Sequence, residues 1–407
     1  MRRVVVTGMA GITALGETWA EIAPRLRAQR SGVRTMPEWD RFTDLHTRLG
    51  APVDRFTVPE HYPRRAVRSM GRVALMSVRA TELALSNAGL IDTPEIRDGS
   101  MGIAYGSSAG SVEPVRAFGQ MLETGSMLGV TSSSYIQMMS HTGAVNIGLH
   151  FGLTGRIIPT SSACTSGSQA IGYAYEAIRF GRQDMMIAGG SEELTALSAA
   201  VFDTLFATST RNDTPGLTPR PFDVARDGLV VGEGAAALVL EELEHARARG
   251  ATIYAEIVGF GCNSDGKHIT QPESATMATA MRLALDDASL PPQEIAYVNA
   301  HGTATDRGDV AESHATAEIL GEGVPFSSLK GHFGHTLGAC GAIEAWLSIG
   351  MLRSGWFAPT ANLESVDPAC ASLDYITGQG RSIAAECIMT NNFAFGGINT
   401  SLIFKRI

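Results

Sequence analysis

SSACTSGSQAIGYAYEAIRFG, residues 161–181, runs from small polar residues straight into a helical pattern, and Cys164 stands at the junction. Ala170, Ile171, Ala174 and Ile178 recur at helical spacing, and Gly181 closes the run as a C-cap. Upstream, LTGRIIPTSSA (153–163) puts the apolar pair Ile157 and Ile158 before small polar residues, the pattern of a strand ending in a tight turn. Strand, sharp turn, nucleophile, helix is a geometry that lifts a reactive side chain to a sheet's edge, where backbone donors can bind an oxyanion. A cysteine in the first turn faces unpaired N–H groups and the positive end of the helix dipole. Both favour thiolate over thiol. The alternative, a buried and inert free thiol, leaves those flanks without a purpose.

The alternation continues along the chain. VVVTG (4–8), within a first strand over 1–8, then GIAYG (102–106), RIIPT (156–160), MMIAGG (185–190) and AALVLEE (236–242) read as strands between helical stretches. TIYAEIVGFG (252–261), IAYVNA (295–300), PFSSL (325–329) and CIMTN (387–391) do the same further on. This predicts a layered α/β architecture made of a duplicated unit, with halves 1–250 and 251–407. Residues 120–135, rich in Ser, Gly and Met, are the best loop or interface candidate.

Two histidine motifs supply partners for the thiol. NAHGTATDRGD (299–309) puts His301 just past the strand Ile295–Val298, and Thr303 and Thr305 offer hydroxyls on one side of the loop. SSLKGHFGHTLGACGAIEA (327–345) carries Lys330 and His335 ahead of a helix rich in small residues. His332 and His335 could also be read as a metal pair. The intervening Phe333-Gly334 and the lack of nearby carboxylate or thiolate ligands argue against that. The other seven histidines, among them His46, His61, His245 and His314, read as surface or structural.

On these motifs the chain resembles a β-ketoacyl-acyl carrier protein synthase of the KAS I/II type, within the thiolase-like superfamily. The resemblance spans essentially all 407 residues, from RRVVVTGMAGITALG (2–16) to NNFAFGGINTSLIFKRI (391–407). It includes ACTSG, STRNDTP (209–215), RPFDVARDGLVVGEGAAALVLEELEHARARGA (220–251), NAHGTAT, GHTLGA and FGGIN. It implies the five-layered αβαβα thiolase fold and makes Cys164 the acylated nucleophile, with His301 and His335 driving decarboxylation. Lys330 would organise the site electrostatically with Glu344. Phe395 would give a backbone N–H to the oxyanion hole and gate the acyl pocket, with Phe393 beside it. Thr303, Thr305 and Thr270 match positions that contact the phosphopantetheine arm of the carrier protein. The implied reaction is a decarboxylative condensation of malonyl-carrier protein with an acyl group on Cys164, with neither metal nor redox cofactor.

Composition agrees. With 44% hydrophobic and 18% charged residues the chain can bury a large core. It has no apolar run of about 18 residues, and residues 1–8 read as a first strand, so neither a membrane span nor a signal peptide is expected. Cys164, Cys262, Cys340, Cys370 and Cys387 show no paired spacing, which fits reduced thiols and a cytoplasmic protein. A net charge of −9 disfavours nucleic acid. The locally basic stretch with Arg64, Arg65, Arg68 and Arg72 is a candidate docking surface for an acidic acyl carrier protein, its alternative being a solvated helix face. The family is usually homodimeric, with residues 107–142 near the partner.

Departures bear on the substrate. Ala394 stands where the family typically has glycine, which would stiffen the gating loop. Ala109 replaces a bulkier residue and suggests room for a longer or differently shaped acyl chain. His332 and Phe333 replace a small or polar stretch, and Ile398 stands where threonine is common. Fatty acid elongation and a dedicated polyene or polyketide pathway both remain open. A silent chain-length-factor partner is disfavoured because Cys164, His301, Lys330 and His335 all survive. A starter-unit synthase or thiolase is disfavoured by the GHTLGA histidine and the FGGIN end.

Overall fold

One strand order occurs twice in this chain. The computed structural model describes residues 1–407. Val4–Thr13 (β1), Met101–Gly106 (β2), Ile157–Thr160 (β3), Met185–Glu192 (β4) and Gly234–Glu242 (β5) lie in the order β3-β2-β4-β5-β1. Ala255–Ser264 (β6), Ile295–Asn299 (β7), Pro325–Ser327 (β8), Cys387–Ala394 (β10) and Ile398–Lys405 (β11) repeat it as β8-β7-β10-β11-β6, with Asp374–Tyr375 (β9) added beyond β8. In each copy the first three strands of this order are parallel, and the fourth, β5 or β11, is antiparallel to both neighbours. The copies join where β1 and β6 pair antiparallel over Val4–Val6. The duplicated architecture expected from the sequence is present.

Three apolar cores separate the layers. The central one takes Met186 and Ala188 of β4 and Ala236, Leu238 and Leu240 of β5, together with two buried helices, Ser166–Arg179 and Cys340–Ser354. The latter is apolar and buried on every side up to Leu352, as a helix sandwiched between sheets must be. Outside the first half, the helix Arg72–Ala88 covers the alternate residues Met185, Ile187, Ala235, Ala237 and Val239. Outside the second, the helix Ser274–Ala288 packs with Val298, Met389 and Ile403. The result is helix, sheet, helix, sheet, helix.

A bulge lets β1 serve two of these cores. Val4 and Val6 face the central layer, yet Ala10 and Ile12, at the same parity, face the outer one. The register slips between Val6 and Gly8, where Thr7 is the extra residue, and that slip turns the remaining side chains over. The strand β11 was not anticipated from the sequence. It is buried on both faces from Asn399 to Phe404, so it lacks the polar–apolar alternation that marks a half-buried strand.

Candidate active site

The nucleophile turn is built by strain and close packing. After β3, Ala163 takes φ 48°, a left-handed conformation that a non-glycine residue holds only when its surroundings enforce it. The turn Ala163–Thr165 then opens the helix Ser166–Arg179. The second half repeats the device: Leu337 takes φ 46° in the turn Leu337–Ala339, which opens the helix Cys340–Ser354. The two helices meet at Gly167 and Gly341. A Cβ on Gly341 would lie 2.7 Å from Ser168 and from Asn392 Oδ1, so only glycine allows the approach.

That approach brings the two halves' side chains together. His335 Nε2 lies 2.9 Å from Cys164 Sγ. The His301 ring stands at 89° to the His335 ring, with centroids 5.2 Å apart. Lys330 Nζ donates to Glu344 Oε1 and lies 3.3 Å from His301 Nδ1. Asn392 Nδ2 donates to Glu344 Oε2 at 2.7 Å and reaches His301 Nδ1 at 3.4 Å. With two donors facing Nδ1, the neutral His301 ring carries its proton on Nε2.

Backbone anchors fix each histidine. His335 N–H donates to Val230 O, and Gly232 N–H to His335 O, so the VVGEG segment holds it from both sides. The N–H groups of His301 and Gly302 donate to the two oxygens of Glu312 at 2.7 Å each. Those of Thr303 and Ala304 donate to Asp309 Oδ1. Asp309 and Glu312 share one buried face of the helix Asp306–Leu320. Burial pushes Glu312 up to about 8 and Asp309 up to about 6, with these N–H groups pulling the other way.

Electrostatics set the resting protonation. Burial, then the Lys330 charge, holds both His301 and His335 well below the usual histidine value, so both are neutral at pH 7. Burial lowers the Lys330 ammonium, but the Glu344 carboxylate together with Cys340 and Glu312 outweighs it and the net direction is upward. Burial pushes the Cys164 thiol up to about 12; Lys330 and the Phe395 N–H pull the other way without winning. The thiolate expected from the helix start is therefore corrected: the protonated thiol is favoured, because burial outweighs the stabilising groups.

Cys164 lies in a cavity of about 510 Å³ also lined by His301, His335, Phe202, Phe393 and Phe395, with Thr270, Thr303 and Thr305 among its polar residues. The Phe395 ring packs 5.2 Å from that of Phe202. Its turn is tied to the loop holding Thr270, through Gly396 N–H to Ile269 O and Asp265 N–H to Gly397 O. Thr303 and Thr305 hydroxyls lie 3.0 Å apart.

Several expectations change. Ala109 is exposed and does not line this cavity. Ala394 does not adopt positive φ, so alanine is accommodated without strain there. Arg72 is committed to the buried Glu233 carboxylate and to Val53 O, so it is a structural ion pair and not a free docking group. Arg64, Arg65 and Arg68 remain exposed. His332 directs its two nitrogens to Arg30 O and Pro359 O, not toward His335. His268 is exposed, in keeping with its surface reading, and also lines the cavity. Asn392, Glu312 and Asp309 were missed. Polar residues three apart on one helix face just after NAHGTAT were the available signal for the last two.

A buried thiol 2.9 Å from a neutral imidazole, with a second histidine across the same cavity, is the equipment of an acyltransferase of the condensing type. The comparisons give it a family. Residues 1–246 match the β-ketoacyl synthase N-terminal domain and residues 254–364 the C-terminal domain. A 3-oxoacyl-[acyl-carrier-protein] synthase 2 of Vibrio cholerae is 38% identical over 414 residues, covering 100% of this chain and 99% of its own. A β-ketoacyl synthase from Burkholderia phymatum STM815 superposes with a TM-score of 0.99 at 67% identity, covering 100% of both chains. The ishigamide ketosynthase/chain length factor gives 0.91 at 30%, covering 100% of this chain and 99% of its own. The chain belongs to the β-ketoacyl synthase family, as a condensing enzyme of the KAS I/II type.

Proposed function

We propose that this chain elongates an acyl group carried on Cys164 by two carbons taken from malonyl-acyl carrier protein. The observation that carries the reading is Cys164 Sγ at 2.9 Å from His335 Nε2, with His301 Nε2–H free for the opposite side of a substrate oxygen.

In the first half-reaction Cys164 attacks the acyl thioester while its proton passes to His335 Nε2. The oxyanion accepts from the N–H groups of Cys164 and Phe395. The intermediate collapses, the carrier's sulfur leaves, and His335 returns the proton to it. In the second, malonyl thioester oxygen accepts from His301 Nε2–H and His335 Nε2–H. Carbon dioxide departs, and the enolate carbon attacks the Cys164 thioester, whose sulfur leaves as thiolate and takes one proton from solvent. The product is a β-ketoacyl-carrier protein. His335 must accept in one half-reaction and donate in the other. Its Nδ1 has no protein hydrogen-bond partner, so neither tautomer is locked. His301 has one task and a fixed tautomer. Two donors on one developing charge suit an enolate.

The sites divide between residues 1–250, which carry the nucleophile, and 251–407, which carry both histidines and Lys330. Thr270, Thr303 and Thr305 would receive the phosphopantetheine arm, and Arg64, Arg65 and Arg68 the acidic carrier protein. A homodimer would cover the exposed Leu122, Met127, Leu128 and Tyr135 of the 107–142 region. No helix is long and apolar enough to cross a membrane, and all five cysteines are free, which supports a cytoplasmic setting. The likeness to a ketosynthase/chain length factor keeps a polyene or polyketide pathway as a second reading. Ala109 no longer supports it from inside the cavity.

Intact-mass measurement of acyl transfer tests the proposal. Purified protein meets acyl-carrier proteins of graded length and saturation, then malonyl-carrier protein. Loading of saturated chains on Cys164 with a two-carbon-longer product supports fatty acid elongation. Loading of unsaturated or aryl chains alone moves the enzyme to the second reading. No loading, with Cys164 reduced, refutes both.

A further inference from the structure

The thiol and the two histidines have a second use that acyl transfer does not require. Cys164 Sγ and one ring nitrogen each from His301 and His335 all lie within 4.8 Å of one another, and all three residues are buried. Thiolate and neutral imidazole are the ligands zinc prefers, at about 2.3 Å and about 2.0–2.1 Å, so tetrahedral ligation needs donor separations of about 3.3–3.6 Å. A pair at the 4.8 Å bound must close by about an ångström to reach this, whereas His335 Nε2 and Cys164 Sγ, 2.9 Å apart, must open slightly. We propose that Cys164, His301 and His335 bind a thiophilic divalent cation of the Zn²⁺ type, which excludes the acyl donor.

The surroundings favour a three-protein-ligand site. His301 Nδ1 is faced by Lys330 and Asn392, which leaves Nε2 as the ligating atom and orients the ring from behind. The Lys330 charge, which would repel an ion, is balanced by Glu344. The cavity leaves space for a water as fourth ligand. Binding replaces the Cys164 S–H bond with an S–Zn bond and releases one proton to solvent.

Cobalt(II) reports such a site through a sulfur-to-metal charge-transfer band and tetrahedral visible bands, both bleached when Zn²⁺ displaces it. The wild-type protein should show them. Cys164→Ser should lose the charge-transfer band while retaining the wild-type circular dichroism. His301→Ala and His335→Ala should each weaken cobalt binding by about tenfold or more. A measurement without variants covers the chance that these buried changes disturb folding: Zn²⁺ should slow iodoacetamide alkylation of Cys164 in the wild type in proportion to occupancy. An absent charge-transfer band, a band that survives Cys164→Ser, wild-type affinity in His301→Ala, or alkylation indifferent to Zn²⁺ would each overturn the proposal. None of these readouts depends on condensing activity.

Discussion

Lys330→Met separates two roles that the buried ammonium combines. Lys330 is 2% exposed and Glu344 3%, so removing the cation leaves a carboxylate in the interior with Asn392 Nδ2 as its remaining donor. Breaking a buried ion pair from one side costs about 3–5 kcal/mol. The same change removes one of the two donors facing His301 Nδ1, so the ring is no longer held with its proton on Nε2. Losing one oriented donor to a developing oxyanion costs about 100- to 1000-fold in rate. Adding Glu344→Gln should recover most of the stability, because both charges are then gone and the new amide oxygen still accepts from Asn392. It should not recover the rate. Urea unfolding gives the first quantity and carbon dioxide release from malonyl-carrier protein the second. Acyl loading should fall less, since Lys330 touches His301 and reaches Cys164 only through its field. The reasoning fails if the double variant stays as unstable as the single one. It fails equally if Lys330→Met decarboxylates within tenfold of wild type.

Three further outcomes follow from the geometry. His335 takes the Cys164 proton as a neutral ring with a depressed value, so acyl loading should hold steady through neutral pH and fall only well below pH 6.5, as that ring gains a proton; an acid limb centred at 6.5 or above in the pH–rate profile of loading contradicts this. Gly341→Ala should destabilise by about 1–3 kcal/mol in thermal or urea unfolding, because the new Cβ meets Ser168 and Asn392; unchanged stability would mean that the helices can separate without cost. Arg72→Ala should lower stability by about 1–3 kcal/mol, since it leaves the buried Glu233 carboxylate without its part-exposed partner, without a specific rise in KM for carrier-protein substrate, whereas joint replacement of Arg64, Arg65 and Arg68 by alanine should raise that KM and leave unfolding unchanged. The opposite pattern would return Arg72 to the docking surface.

The site was legible where chemistry is local in sequence. Cys164 shows itself by a strand and turn on one side and a helix on the other, and His301 and His335 by small residues that let backbone turn tightly. What holds those turns is not local. Glu312 serves His301 from eleven positions on, and Asn392 reaches the Lys330–Glu344 pair from a strand near the C-terminus. The protonation state of Cys164 was misread for the same reason. A helix start favours thiolate, but the layers that close over it, invisible in 161–181, favour the thiol. Strand β11 escaped because two buried faces erase the alternation that reveals a strand. Arg72 looked like its neighbours until the fold put Glu233 against it.

Single-turnover analysis of His301→Ala addresses the division of labour most directly. The variant would be mixed with acyl-carrier protein, sampled by intact mass, and then given malonyl-carrier protein labelled at the carboxyl carbon. The account predicts an acyl group on Cys164 at close to the wild-type rate, followed by little or no labelled carbon dioxide and no lengthened product. A variant that cannot load Cys164, or one that releases carbon dioxide at the wild-type rate, would contradict the assignment of His335 to the thiol and His301 to the enolate.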